Sequence, residues 1–234
     1  MCIRDSFPNK YKEVVWDQNY YVADVYGTYN KTFSEKHNLT LIAGYNYEAK
    51  YYRDLTAAND GLLSEDLSDF NLAKGTTNFT LNGGRNEYAI MGWFYRAAYD
   101  YKGKYLAEVN GRYDGTSRFP KDSRFGFFPS FSVGWRISNE AFMKGTEDWL
   151  NNLKIRASYG EVGNDVYKVN GVKQRFLYQA VWTQIANDYH FGTTGYTGIY
   201  ESQYPNYAVT WERAHKYNLG LEFGLWNGLL NGNI

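Results

Sequence analysis

Residues Tyr99 to Trp135 read YDYKGKYLAEVNGRYDGTSRFPKDSRFGFFPSFSVGW. In the middle, Tyr105, Ala107, Val109, Gly111 and Tyr113 alternate with Leu106, Glu108, Asn110, Arg112 and Asp114. One face is apolar and the other carries charges in succession. The alternation lasts about ten residues, the length a tilted strand needs to cross a bilayer. Strands of soluble proteins are usually nearer five or six residues. A buried soluble core would not accept a row of unpartnered charges, whereas a membrane barrel with a wet interior accepts them on every second residue. The stretch therefore predicts two hairpin-linked strands, turned by Lys102-Gly103-Lys104, then a polar loop from Gly115 to Arg124 and a third strand.

The same pattern extends both ways. Residues 7 to about 19 read as a loop, with Pro8 and several charges. Alternation begins at Tyr21, passes a turn at Ser34–Asn38, and continues with Leu39, Leu41, Ala43, Tyr45, Tyr47, Ala49 and Tyr51 on one face. Asp54 to about Asn86 is rich in Asn, Asp, Gly, Ser and Thr and reads as a long loop, of the kind outer-membrane barrels place outside the cell. Ala89 to Tyr99 forms a strand. In the third strand of the opening stretch, Pro129 cannot donate to a ladder, so a bulge or a strand start is expected there. Ser138–Asn152 is a longer turn with a short helix near Glu140–Met143. Leu153 to Tyr159 and Tyr217 to Leu225 alternate again. Between them, Asp165–Tyr207 is irregular with one or two weak strands. Short connections on one side and long ones on the other fit a transmembrane barrel, the short ones periplasmic.

Composition narrows the function classes. The chain has 234 residues, 19% of them aromatic, with 25 basic and 25 acidic side chains. That balance gives no footprint for nucleic acid. Mean hydropathy is −0.60, and no run approaches eighteen apolar residues, so no transmembrane helix is expected. The single cysteine, Cys2, excludes an internal disulfide. The opening MCIRDSFPNK has no apolar core of a signal peptide. Residues 1–19 are expected to be a non-native start or loop, and 20–234 part of a barrel truncated at both ends.

Three ordered runs carry a resemblance: RYDGTSRF (Arg112–Phe119), FGFFPSFSVGWRISNEAF (Phe125–Phe142) and LKIRASYGEVGN (Leu153–Asn164). With TWERAHKYNLGLEFGL (Thr210–Leu225), they are similar to the SusC/RagA family of TonB-linked outer-membrane transporters. The resemblance implies an all-β, partial antiparallel transmembrane barrel, about eight to ten strands of a 22-stranded whole. It implies a multi-pass location in the outer membrane of a Gram-negative, Bacteroidota-type cell, in contact with its lipid. It further implies import of a large nutrient, often an oligosaccharide or peptide. TonB would drive that import through an N-terminal part with a plug domain, and a SusD-like surface lipoprotein would form the lid. No catalytic step is expected. A passive porin or structural barrel, or a soluble carbohydrate-binding β-sandwich, are the competing classes. The sandwich predicts short strands and two inner apolar faces.

No cofactor or catalytic motif appears. His37, His190 and His215 are scattered, and none has metal-ligand spacing. Glu65, Asp66 and Asp69 cluster without a calcium-loop pattern. Arg112, Asp114, Arg118 and Arg124 flank the mouth of one hairpin. They suit either contact with a substrate or lid, or a charge network that holds the loop closed, and the second fits strand-end charges better. Trp182, Tyr189, Tyr196, Tyr200 and Tyr204 suit stacking on sugar rings, and equally a membrane-interface role.

Overall fold

The computed structural model describes residues 10–62, 66, 69–75 and 78–234. Among these residues there are twelve strands: β1 Tyr11–Phe33, β2 His37–Asn59, β3 Thr80–Tyr101, β4 Tyr105–Thr116, β5 Phe125–Arg136, β6 Leu150–Asn164, β7 Tyr167–Val169, β8 Val172–Gln174, β9 Val181–Phe191, β10 Thr194–Gln203, β11 Glu212–Leu225 and β12 Leu230–Asn233. Eight make one open sheet in the order β1-β2-β3-β4-β5-β6-β11-β12. The pairs β7-β8 and β9-β10 are separate two-stranded hairpins. Among the described residues no second sheet packs on the first, so the sandwich alternative fails.

Several sequence-based boundaries shift. Residues 11–19 are not a loop but the first part of β1. The predicted loop from Asp54 to Asn86 shrinks, because β2 runs to Asn59 and β3 starts at Thr80. The strands β1, β2 and β3 have 23, 23 and 22 residues rather than about ten. Asn, Asp and Gly are poor strand formers on their own, but ladder pairing with long neighbours overrides local preference. Gly115 is not in a turn; β4 continues through it to Thr116. At Pro129 there is no bulge: it lies opposite Gly111 of β4, and the β5–β6 ladder begins one residue later at Ser130. Proline has no N–H to offer, and the ladder with β6 starts beyond it. The Met1–Asn9 part of the expected non-native start lies outside the described residues.

The chain divides into two compact units, Met1–Val22 with Glu48–Ala89, and Ala23–Tyr47 with Ile90–Ile234. In the first, the β2–β3 connection folds on itself. Leu62 bridges Ala73, Gly75 N–H donates to the Asp60 carbonyl at 2.8 Å, and Asn59 Nδ2 donates to the Ala73 carbonyl at 2.8 Å. Ala58, Asp60 and Ala73 are buried there. Asp69 caps a 3-10 turn by accepting from Asn71 N–H, which gives it a structural role. Glu65 of the acidic cluster is outside the described residues.

In the second unit the register sorts the side chains. One face carries the rows Tyr99–Ala107–Val133–Ala157–Leu219 and Ala97–Val109–Phe131–Tyr159–Tyr217. The other carries Arg96–Asn110–Ser130–Gly160–Lys216 and Ala98–Glu108–Ser132–Ser158–Asn218. Successive strand residues point to opposite faces, so the alternation of each sequence segment becomes two sheet-wide surfaces. The apolar surface is uncovered: Leu219 is 80% exposed and Tyr217 76%. A water-exposed apolar surface of this kind marks contact with a partner or a membrane.

The short connections tie to one another at one end of this unit. Lys102 N–H donates to the Lys36 carbonyl, Arg136 N–H to Lys104, and Trp226 N–H to Trp149, at 2.7, 2.8 and 3.0 Å. Ser34, Glu35, Lys102 and Gly103 take positive φ, which closes the β1–β2 and β3–β4 turns in few residues. The β5–β6 connection holds two 3-10 turns, Ile137–Asn139 and Ala141–Thr146, where a short helix was expected.

Candidate functional site

The polar face of the second unit is a wall of paired charges and small polar groups. Arg96 donates to Glu108 at 2.5 Å, and Asn110 donates to the same carboxylate at 2.8 Å. Glu222 receives Lys154 at 3.4 Å and Arg156 at 3.3 Å. Between these pairs lie Ser130, Ser132, Ser158 and Gly134, and Asn218 donates to Ser158. A cavity of about 540 Å³ opens here, reaching from Asn38 and Asp100 past Glu108 and Ser132 to Arg156 and Asn218. Leu106 breaks the polar pattern and also borders it. Such a wall offers hydrogen-bond donors and acceptors and charges of both signs to a hydrated solute.

The charges predicted around the β4–β5 hairpin do not form one network. Arg112 lies on the sheet and holds Asp114 through two bonds of 2.9 Å, with its guanidinium near the Phe94 ring. Arg118 instead reaches Asp165 at 2.5 Å, and Thr116 Oγ1 donates to that carboxylate at 2.8 Å. Both charged side chains are largely buried, at 14% and 11% exposure. Phe119 is buried beside them, edge-on to Tyr167 and Trp211, while Trp211 meets Phe128. The Arg124 carbonyl accepts from Trp211 Nε1 and from Thr116 N–H, while its own Nε is buried and has no hydrogen-bond partner among the described residues. This small aromatic core ties the Ser117–Arg124 loop to both ends of the β6–β11 connection, Asp165 and Tyr167 at its start and Trp211 at its end. Sequence reasoning missed Asp165 and Trp211, which lie 47 and 87 positions from their partners. Only the tertiary fold brings them in.

The loop aromatics do not form one platform. Tyr189 and Tyr196 are paired in register on β9 and β10. Tyr200 lies opposite Thr183 and Trp182 opposite Glu201, adjacent ladder positions that face opposite ways. All four are exposed, as is Tyr204 beyond β10. Phe191, edge-on to Tyr196, extends the exposed aromatic surface.

On the apolar face a polar group marks an edge. Glu161 accepts from Tyr159 at 2.8 Å and from Arg213 at 3.0 Å, and His215 Nδ1 lies 3.0 Å from the Tyr159 hydroxyl. On β4 and β5 the apolar residues continue to Tyr113 and Phe127, paired with each other. On β6 and β11 they stop at the Tyr159–Tyr217 pair. The drop from Tyr113 to Tyr217 is two register rows, about 13 Å, over three strand spacings, about 14 Å. The line is oblique by about 45°, the tilt expected of strands in a barrel.

At the short-turn end, Glu140 accepts from Lys104 at 2.9 Å and from Trp135 Nε1 at 3.2 Å. The Lys104 bond first, then the Tyr105 and Trp135 bonds, lower its pKa from the ordinary 4.5 to about 2.

Comparison with known proteins follows the same lines. The family model described as TonB dependent receptor-like, beta-barrel, matches residues 4–234. The chain is 31% identical over 208 residues to TonB-dependent receptor P39 of Formosa agariphila, covering 88% of this chain and 19% of that protein. It is 34% identical over 148 residues to TonB-dependent receptor SusC of Bacteroides thetaiotaomicron, covering 62% and 14%. The solved structure of the RagAB peptide transporter superposes with a TM-score of 0.80 at 25% identity, covering 96% of this chain and 24% of that one. The chain thus spans about a fifth of the length of the curated relatives it matches.

Proposed function

This chain belongs to the TonB dependent receptor-like β-barrel family, and on that premise we propose that it is part of an outer-membrane importer for a large nutrient, an oligosaccharide or a peptide. The observation that carries the reading is the division of the sheet into an apolar and a polar surface along the same register rows. The apolar surface suits the lipid of the outer membrane of a Gram-negative, Bacteroidota-type cell, and the polar wall suits a hydrated passage. The short, mutually bonded turns are then periplasmic, and the connections bearing the aromatic core and the β9–β10 hairpin are extracellular. In this reading the TonB complex supplies the energy, a plug domain receives it, and a SusD-like lipoprotein covers the outer mouth. Arg118 and Arg124 brace the loop core, Arg112 and Asp114 belong to the wall, and Tyr189, Tyr196, Tyr200 and Trp182 are free to meet lid or nutrient.

The similarity to a TonB-dependent receptor, SusC, and to the RagAB peptide transporter supports the reading of an importer. The test is uptake of labelled oligosaccharides and peptides by cells that carry or lack the complete protein. Import is expected to need the protein and to stop when an uncoupler collapses the proton-motive force. Protein-dependent uptake that survives the uncoupler would make the barrel a passive porin.

A further inference from the structure

Toward the short turns, the apolar face of the second unit ends in a row of rings. Tyr101 pairs with Tyr105, and Tyr105 with Trp135. Phe33 and His37 flank the turn of residues 34–36 as Tyr101 and Tyr105 flank that of residues 102–104. His37 shares its face of β2 with Leu39 and Leu41 by alternation. The His37, Tyr101, Tyr105 and Trp135 rings follow one another at centroid distances of 4.7, 6.3 and 6.5 Å. Two lysines lie on this row. The Lys31 ammonium is 5.5 Å from the Phe33 ring centroid, and the Lys102 ammonium 5.2 Å from that of Tyr101. Among the described residues neither ammonium has a carboxylate partner. Glu35 stands in the turn with Lys36. Asp100 belongs to the polar face, where it accepts from Gly103 N–H and from Asn38. Glu140, beyond Tyr105, is taken up by Lys104 and Trp135.

We propose that Lys31, His37 and Lys102 hold the phosphate of a glycerophospholipid whose acyl chains lie along the apolar face. The inference rests on the lipid-facing part of the import reading and assigns a ligand that is not cargo. Three features select this occupant. Both ammonium groups are held over rings at the edge of an apolar surface, where a lipid carries its own charge. The outer strands of the trio, β1 and β3, are two strand spacings apart, about 10 Å, and His37 stands between them. The Tyr99 hydroxyl lies 2.6 Å from His37 Nδ1, and when it donates there the ring proton sits on Nε2. The three side chains then present donors alone, which suits a phosphodiester. Finally, Leu39 and Leu41 lead from His37 to a depression of about 740 Å³ among Val25, Gly27, Ala43, Tyr45, Trp93 and Tyr95. It lies about 20 Å along the strands, within reach of a long acyl chain. A free phosphate would leave that surface bare, and an acidic protein segment would not fill it.

The test uses the complete protein, purified in detergent, stripped of lipid and titrated with dioleoylphosphatidylglycerol, with bound lipid counted by native mass spectrometry. Dioleoylglycerol, which lacks the phosphate, and glycerol 1-phosphate, which lacks the chains, are the comparison ligands. The first phosphatidylglycerol is expected to bind more tightly than either. Lys31→Gln and Lys102→Gln should each weaken it about fivefold, and together about thirtyfold, the effect of one and of two lysines at an anionic lipid surface. Lys102→Arg keeps the charge and should retain binding. Lys121→Gln, in the β4–β5 loop, should leave it unchanged. Lys31 and Lys102 are exposed, so the variants should fold, and an unshifted thermal midpoint checks that. Equal binding of phosphatidylglycerol by wild type and the double variant overturns the site. Equally tight binding of dioleoylglycerol also overturns it, leaving apolar contact alone, and equally tight glycerol 1-phosphate would leave a site for a soluble anion. Uncoupler-resistant uptake together with lysine-dependent lipid binding would sink the import reading and leave this site standing. Uncoupler-sensitive uptake with lysine-independent lipid binding would do the reverse.

Discussion

The two surfaces of the main sheet are made by the same strands, in the same register, one residue apart. Val109 and Asn110 are neighbours in the chain, yet Val109 stands in a row with Ala97, Phe131 and Tyr217, and Asn110 in a row with Arg96, Ser130 and Lys216. A soluble two-layer protein would bury the first row in a core and expose the second. Here the apolar row is the more open to its surroundings, and the polar face pairs its charges across and along the strands, Arg96 with Glu108 and Lys154 and Arg156 with Glu222. On the import reading, the hydrophobic effect is satisfied from outside the chain, by lipid, while charge is satisfied from inside it by pairing.

The largest expected effect is on that contrast itself. Val109→Arg in the complete protein should cost roughly 2–4 kcal/mol of barrel stability, and Asn110→Arg far less. Outer-membrane abundance and heat-induced mobility shifts would report the difference. The next effect separates a buried charge from an open one. Arg118→Ala strands the largely buried Asp165 and should cost about 2 kcal/mol, read as earlier thermal loss of structure and faster proteolysis near Ser117–Arg124. Arg112→Ala, whose side chain is 49% exposed, should cost about 0–1 kcal/mol. Glu222→Gln, on the open wall, should also fall within about 1 kcal/mol, leaving assembly normal and changing only the passage of charged solutes.

The smallest effect concerns the short-turn end. Glu140 has a folded pKa of about 2 against an ordinary 4.5. A depressed carboxylate stabilises fully above its ordinary value and loses that contribution as pH falls through its folded value. The turn clasp should therefore hold unchanged from neutral pH to about 4.5 and weaken toward pH 2. In Glu140→Gln that part of the acid sensitivity should vanish, which a pH series of thermal midpoints would measure.

The strands of this fold are legible wherever apolar and polar residues alternate strictly, which on the import reading is where one face meets lipid. Leu39–Tyr51, Tyr105–Tyr113 and Tyr217–Leu225 read correctly for that reason. Residues 11–19, 54–59 and 80–86 were misread as loop. In these segments apolar residues do not recur at every second position: the strands carry Asp54, Asn82, Gly83 and Gly84 and look irregular. Of the predicted group, Arg112 and Asp114 bond to each other, being two apart on one strand. Arg118 was assigned to the same group, but its partner Asp165 comes from a distant connection that no local pattern signals. Likewise, alternation alone did not reveal that Glu161, Arg213 and His215 end the apolar band, since the row they close is visible only in register.

The central claim is that Val109 faces lipid and Asn110 faces water. Val109→Cys and Asn110→Cys in a cysteine-free version of the complete protein, embedded in the outer membrane, would be labelled with a membrane-impermeant maleimide and with a lipid-dissolved one. The account predicts that position 110 reacts with the aqueous reagent and position 109 only with the lipophilic one. Equal reaction of both positions with the aqueous reagent would contradict it.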